Sequence, residues 1–396
     1  MPVDDAVPVI LGGARTPFAR FGGAFAALSA TDLGAAAVRG ALERSGVSAE
    51  DVDAVVLGQV LQAGAGQGPA RQTAILAGLG WDVPAVTINK LCLSGLTAVI
   101  DAGRLIRSGE ADVVVAGGQE SMTRAPHLLL DSRAGIGVGA RALEDALLHD
   151  GLLDPFDRRI MGRVTDDGNA ERGILRERQD AYAALSHRRA AAARASGVLA
   201  REIVPVVVPQ RRGSDAVVEE DDGIRPTTTV EILAGLAPAF SPEGTITAGS
   251  SSPLTDGAAA LVVAAKGWAR ARGLPWLAEL AEHGQVAGPD NSLHSQPSAA
   301  ILSALARRGA GVGDLDLIEI NEAFASVVLQ SADDLGVAPE TVNLDGGAIA
   351  LGHPVGASGA RLALHLALSL RRRGGGLGAA ALCGGGGQGE ALLLRA

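Results

Sequence analysis

The chain has 396 residues, 47% of them hydrophobic and 20% charged, with 3% aromatics and a net charge of −10 at pH 7. That is a globular balance, and it argues against broad binding to nucleic acid or anionic membranes and against an aromatic stacking platform for single strands. The length suggests two or three domains. No apolar run is long and clean enough to span a bilayer, and the two cysteines, Cys92 and Cys383, fit neither a disulfide scaffold nor a zinc pattern. A phosphorylated ligand is not excluded, because a local arginine cluster can outweigh the total charge.

Met1-Pro2-Val3-Asp4-Asp5 carries neither the basic start nor the apolar segment of a signal peptide, so a cytoplasmic enzyme is expected. The strand-like Val7–Leu11 follows. Asn89-Lys90-Leu91-Cys92-Leu93-Ser94-Gly95 lies between an apolar stretch and a helical stripe of Leu96, Val99, Ile100, Gly103 and Ile106. Arg107-Ser108-Gly109 then turns the chain into the strand-like Ala111–Gly118. Residues 122–252 differ in composition, being rich in Arg, Asp, Pro and Gly. They hold one clear helix, from about Glu177 to Arg194, and the β-like Ile203–Pro209. An excursion of this length is a cap or insertion rather than a loop. Asp256–Val263 is a core segment that fits helix or strand.

The apolar Leu315–Glu319 leads into Ile320-Asn321-Glu322-Ala323-Phe324-Ala325. Later, His353-Pro354-Val355-Gly356-Ala357-Ser358-Gly359 opens a helix through Leu362, Leu364, Leu366 and Leu370. A turn at Arg371–Gly374 enters Leu377–Cys383, which ends in four glycines. This order repeats that around Cys92, with the two Ser-Gly pairs 264 residues apart. The expected architecture is α/β and duplicated, with right-handed crossovers, a mostly parallel sheet in each half, and a pseudo-twofold that brings both functional turns to one centre.

Two thiols and an imidazole in such settings suit acyl transfer, one thiol as nucleophile and the other moving a proton. A helix N-terminus is expected to lower the pKa of Cys92, while a buried inert cysteine is the plain alternative. The glycines after Cys383 expose backbone N–H groups that suit a developing oxyanion. His353, on a Gly/Pro turn before a helix, is placed to take a thiol proton; His365, in a leucine-rich helix, reads as a packing histidine. Asn321 fits either a water-holding role at a strand end or an N-cap.

Four segments resemble the motifs of the thiolase family, of the acetyl-CoA acetyltransferase type, over essentially the whole chain. They are Asn89–Gly95, Asn321–Ala325, Gly346–Arg361 and Cys383–Gly389. The resemblance implies thiolase-type halves in α/β/α/β/α layers. Residues 1–121 with 253–273 form the N-terminal half and 274–396 the C-terminal half, with a loop domain at 122–252 that covers coenzyme A and supports oligomers. It implies Cys92 as acyl-thioester nucleophile, His353 as its activator and an oxyanion-hole donor, and Cys383 as proton acceptor and donor. Asn321 would act through a water, and the backbone N–H of Gly385, with that of Cys92, would hold the tetrahedral oxyanion. Arg225, Ser252 and Phe324 would contact substrate. No metal and no tightly bound cofactor are implied; the substrates are coenzyme A thioesters, acetyl-CoA and acetoacetyl-CoA or another 3-ketoacyl-CoA, handled by a homotetramer or homodimer. Leu93, Gln119, Ile160 and Pro253 depart from the common family residues and bear on chain length and coenzyme A contacts. A degradative thiolase of longer chain specificity uses the same four groups, a ketoacyl synthase relative needs no base at Cys383, and a non-catalytic acyl-CoA-binding protein predicts no acyl-cysteine.

Overall fold

The computed structural model describes residues 4–210 and 212–396; Met1–Val3, part of the opening segment considered for targeting, and Arg211 lie outside the described residues. The first half contributes β1 (Pro8–Arg15), β2 (Ala54–Gly58), β3 (Ala85–Ile88), β4 (Val113–Glu120) and β5 (Thr255–Ala265). The second contributes β6 (Ala278–Ala287), β7 (Leu317–Ile320), β8 (Leu377–Gly384) and β9 (Gln388–Arg395). They run in the order β3-β2-β4-β5-β1-β6-β9-β8-β7. The strands of the two halves pair at Val9 opposite Glu279 and Ile10 opposite Ala278. Read outward from that seam, β1-β5-β4-β2 in the first half matches β6-β9-β8-β7 in the second, and Val342, bridging Ile318, stands beside β7 where β3 stands beside β2.

The expected parallel arrangement holds with one exception per half. β4, β2 and β3 are parallel, as are β7 and β8. β5 enters antiparallel to both β1 and β4, and β9 antiparallel to both β6 and β8. Both return without a crossover helix: β9 through the Gly385–Gly387 hairpin, β5 at the end of the insertion. Gly386 and Gly387 have φ of 72° and 66°, a left-handed pair that the tight turn needs.

Asp256–Val263 is a strand because both its faces are covered. Ala259, Leu261 and Val263 point into one core with Leu96, Val99, Ile100, Leu362, Leu366 and Leu382. Ala258, Ala260 and Val262 point into another with Leu33, Val38 and Ala74. The first core is roofed by α3 (Ser94–Ser108) and α8 (Ser358–Arg372), the second by α1 (Ala30–Ser45) and α2 (Pro69–Leu76). α6 (Gln296–Arg308) and α7 (Ala325–Leu335) cover the far face of the second half, over Ala379, Ala381 and Leu393. The result is five layers, α/β/α/β/α, with α3 and α8 in the middle. Each fully buried leucine of that central pair contributes about 1.5–3 kcal/mol. The pair crosses where the repeated glycines meet. A Cβ on Gly95 would sit 2.8 Å from the Gly356 carbonyl, and one on Gly359 2.3 Å from the Leu96 nitrogen.

The insertion contains α4 (Met161–Arg172) and α5 (Arg176–Ala195), inserted ahead of α6 in the chain, and the hairpin Val206–Val208 with Ala216–Val218. Buried ion pairs bind it to both halves. Arg15 reaches Glu202 at 2.7 Å and Asp221 at 2.6 Å. Glu202 also meets His365 Nδ1 at 2.9 Å, and His365 Nε2 lies 3.3 Å from Asp345. His365 is therefore an ion-pair member, not the packing histidine its leucine-rich helix suggested. Among the described residues no helix is long and apolar enough to cross a membrane.

Candidate active site

Cys92 sits between the end of β3 and the start of α3 on a strained turn. Leu91 has φ 52°, a left-handed conformation that costs on the order of 1–2 kcal/mol for a non-glycine residue. Hydrogen bonds hold it: Leu91 N donates to Asn89 Oδ1 at 3.1 Å, Lys90 N to Ser94 Oγ at 2.8 Å, and Ser94 Oγ to the Leu91 carbonyl at 2.6 Å. Burial pushes the Cys92 thiol up to about 11, against the pull of its own N–H, with Glu120 adding to the rise and the N–H of Gly385 opposing it. The helix N-terminus therefore does not deliver a resting thiolate, contrary to the sequence expectation. Desolvation outweighs the few N–H dipoles available.

Cys383, 1% exposed, ends β8 across this turn. Burial first, and the charge of Cys92 second, raise its thiol beyond the ordinary range. Leu93 has no exposed surface, and a Cβ on Gly384 would lie 2.7 Å from its Cγ, so the Cys383 turn rests on it. Ile160 precedes α4 without a side-chain cap, and Thr255 Oγ1 donates to the Pro253 carbonyl at 2.7 Å.

His353 is buried on the turn before α8. Its Nδ1 lies 2.6 Å from Ser358 Oγ, which donates in turn to the Pro354 carbonyl at 3.1 Å. A hydroxyl already donating there accepts from Nδ1–H, which leaves the lone pair on Nε2. Burial, with Arg361 adding, lowers the imidazole to about 4, so it rests neutral, able to accept a proton. Asn321 Nδ2 is 3.4 Å from His353 Nε2, while Asn321 Oδ1 is buried without a partner. Asn321 is not an N-cap: α7 starts at Ala325 with Phe324 in the cap position. Its backbone N donates to the Ala381 carbonyl at 2.9 Å, two residues from Cys383.

Phe324 shares a cluster with Cys383, Ile246, Leu293 and Val327, and meets Phe240 edge-on at 6.0 Å. Ser252 joins the same wall, its N and Oγ both donating to the Ala323 carbonyl at 3.1 Å. Arg225 lies apart from this centre. It is exposed, its backbone N donates to His187 Nδ1 at 3.2 Å, and its loop rests on Ala350 through Gly223. The insertion is pinned here too: Tyr182 and Ser186 of α5 donate to the buried Glu322 carboxylate at 3.0 and 2.7 Å. Ser358, Glu322 and Glu120 were not singled out from the sequence. A charged residue closing the buried run of β4 was the available signal for Glu120. Among the described residues no group of three or more His, Cys, Asp or Glu could hold a metal ion.

Two duplicated α/β halves that meet over a pair of thiols and an imidazole define a class, the acyltransferases that work on thioesters. Family models described as thiolase N-terminal domain and thiolase C-terminal domain match residues 8–267 and 274–396. The chain is 57% identical over 387 residues to "Probable acetyl-CoA acetyltransferase" of Mycolicibacterium smegmatis, covering 98% of this chain and 100% of that one. It is 47% identical over 387 residues to "Acetyl-CoA acetyltransferase" of Pseudomonas aeruginosa and 45% over 386 residues to that of Cupriavidus necator, in each case across 98% of both chains. The chain belongs to the thiolase family, and it is an acyltransferase of that family.

Proposed function

We propose that the chain condenses two acetyl-CoA to acetoacetyl-CoA and free coenzyme A, and runs the reverse thiolysis. Cys92 Sγ attacks the thioester carbonyl as His353 Nε2 takes its proton. The tetrahedral oxyanion forms between the N–H groups of Cys92 and Gly385. Losing one such donor typically costs about 3 kcal/mol. Coenzyme A leaves with the proton held by His353, and Cys92 is left as a thioester. Cys383 then passes its proton to the vacated His353 Nε2 and, as its thiolate, removes the α-proton of a second acetyl-CoA. The resulting carbanion, its enolate oxygen held by His353 Nε2–H and by a water on Asn321, attacks acyl-Cys92; the thioester bond breaks, Cys92 leaves as a thiol with the His353 proton, and acetoacetyl-CoA is released.

The observation that carries this reading is the seating of the Cys383 turn on the two neighbours of Cys92: a Cβ on Gly385 would lie 2.7 Å from Leu91 Cδ1 and one on Gly384 2.7 Å from Leu93 Cγ. The partnerless Asn321 Oδ1 supports the water. Phe324, Phe240, Met161 and Leu293 crowd the wall beside Cys383, and the relatives are named for acetyl transfer; both favour short acyl chains. Ser252 is assigned to the pantetheine and Arg225 to the adenine end of coenzyme A. Residues 122–252 are assigned as the loop domain over the cofactor-sized substrate, between halves at 1–121 with 253–273 and at 274–396. Exposed Leu129, Leu130, Ile136, Val138 and Leu143 on that segment favour a homotetramer or homodimer. A cytoplasmic site of action fits coenzyme A thioester substrates.

The test is a thiolysis series from acetoacetyl-CoA to longer 3-ketoacyl-CoA in wild type and Cys92→Ser. Wild type is expected to prefer acetoacetyl-CoA, and Cys92→Ser to lose turnover by about 10⁴-fold or more. Undiminished turnover in the variant refutes the nucleophile; a preference for long chains refutes the acyl assignment.

A further inference from the structure

Three peptide N–H groups from two separate segments end on one buried carboxylate. Val60 N donates to Glu120 Oε2 at 2.9 Å, Leu61 N to Oε1 at 3.1 Å, and Gly356 N to Oε2 at 3.0 Å. Val60 and Leu61 follow β2 in the first half. Gly356 lies three residues beyond His353 in the second. Glu120 closes β4 and has no exposed surface. The fit leaves no slack: a Cβ on Gly356 would lie 2.8 Å from Glu120 Oε2 and 2.8 Å from the Gln119 carbonyl.

A second set of side chains braces the same place. Thr73 Oγ1 donates to Gln119 Oε1 at 2.6 Å, Gln119 Nε2 to Gln59 Oε1 at 2.9 Å, and Gln59 Nε2 to the Leu61 carbonyl at 3.0 Å. The Leu61 residue is thus held by its N–H on Glu120 and by its carbonyl on Gln59. Gln119 is one of the departures noted in the sequence, and this brace accounts for it.

The condensation chemistry assigns no step to Glu120. Burying a carboxylate costs several kcal/mol, so its retention beside the nucleophile calls for a role. We propose that Glu120 is a positioning residue of the acyl-transfer site, clamping the His353 turn to Val60 and Leu61, with Asn89 of the Cys92 turn donating to the Val60 carbonyl at 3.3 Å. Its carboxylate, when ionised, also adds to the rise of the Cys92 thiol. The inference rests on Cys92 being the nucleophile. The groups acting on the Cys92 thiol are Glu120 from β4, its own N–H and the N–H of Gly385 after β8, and Cys92 in turn acts on Cys383. Asp256, at the start of β5, acts on Glu120, and Arg361 of α8 acts on His353. Lys90 is engaged with Glu390 at 3.0 Å. Burial lifts Glu120 itself to about 7, against the three N–H groups and with Asp256 adding, so it is ionised in the alkaline range where Cys92 titrates.

The test uses the full-length protein. Alkylation of Cys92 by iodoacetamide is followed against pH by peptide mass spectrometry, alongside kcat and KM for acetoacetyl-CoA thiolysis. For Glu120→Gln the alkylation midpoint is expected to move down by roughly half to one pH unit, as loss of a neighbouring like charge requires. Its kcat is expected to fall about 10- to 100-fold through misplacement, with KM within about twofold. A purely structural role would not shift the midpoint downward. Glu120→Asp keeps the charge and shortens the reach; it is expected to lower kcat without moving the midpoint, and it serves if Glu120→Gln does not fold. Wild-type kcat in either variant, or an unmoved midpoint in Glu120→Gln, overturns the proposal. If wild type incubated with acetyl-CoA shows no acyl-Cys92, the nucleophile assignment itself fails. A normal acyl-Cys92 beside an unresponsive Glu120→Gln sinks only the clamp.

Discussion

The two halves share a strand order and a helix crossing, yet they carry different chemistry at matching places. The 264-residue offset that pairs Ser94 with Ser358 also pairs Cys92 with Gly356, Asn89 with His353, and Gln119 with Cys383. One half therefore offers a thiol on the turn before its central helix, where the other has a glycine amide. The second half offers a thiol near the end of β8, where the first has an amide side chain near the end of β4. Duplication supplied two equivalent turns facing each other across α3 and α8. On the proposed reading one face carries the nucleophile and the other the acid–base groups. A symmetric pair of cysteines would have produced two like-charged thiolates that oppose each other's ionisation.

Substitutions on the second half test this division most severely. His353→Ala should slow both acylation and condensation, by about 10³–10⁴-fold, since Nε2 serves both steps; equal rates of acyl-Cys92 formation in variant and wild type would remove it from the first step. Cys383→Ser should slow condensation by about 10³-fold while leaving acylation within a small factor, which rapid-quench measurement of each half-reaction separates. Asn321→Ala, on the same face, should cost about 10²-fold in condensation and less in acylation.

The smallest expected effect lies away from the chemistry, in the ion pairs that join the halves to the insertion. His365 is raised to about 10 by Glu202 and Asp345 despite burial, and Glu202 is held at about 2 by Arg15 and His365 despite the same burial. The histidine's folded pKa exceeds its unfolded value, so its stabilisation is complete below pH 6.5 and fades as pH rises through about 10. For Glu202, whose folded pKa is depressed, it is complete above about 4.5 and fades as pH falls through about 2. His365→Gln should therefore lower stability near neutral pH by about 3–5 kcal/mol, since it leaves buried carboxylates unpaired. The difference should shrink above pH 10. Denaturant titrations at several pH values check this, and a pH-independent difference would argue for packing alone.

Much of the centre was legible because Cys92, Asn321, His353 and Cys383 each sit in a short motif with its own turn chemistry. The duplicated order was legible for a similar reason: glycine turns punctuate helical and strand periods in the same sequence twice. Asp256–Val263 was ambiguous because a strand buried on both faces shows no alternation of polar and apolar residues. The acidity of Cys92 was misjudged because a helix N-terminus is visible in sequence and desolvation by distant segments is not. Glu120 shows the same limit: its three partners lie some 60 and 236 residues away, and only the assembled fold reveals that one carboxylate joins them. Leu93 belongs here as well, since its contact is the backbone of Gly384 in the other half.

Mass spectrometry of Cys383→Ser after incubation with acetyl-CoA tests the division of labour most directly. The predicted result is a stable acetyl group on the Cys92 peptide with no acetoacetyl-CoA accumulating. An unmodified Cys92, or acetoacetyl-CoA formed at the wild-type rate, would contradict the assignment of nucleophile and base to opposite halves.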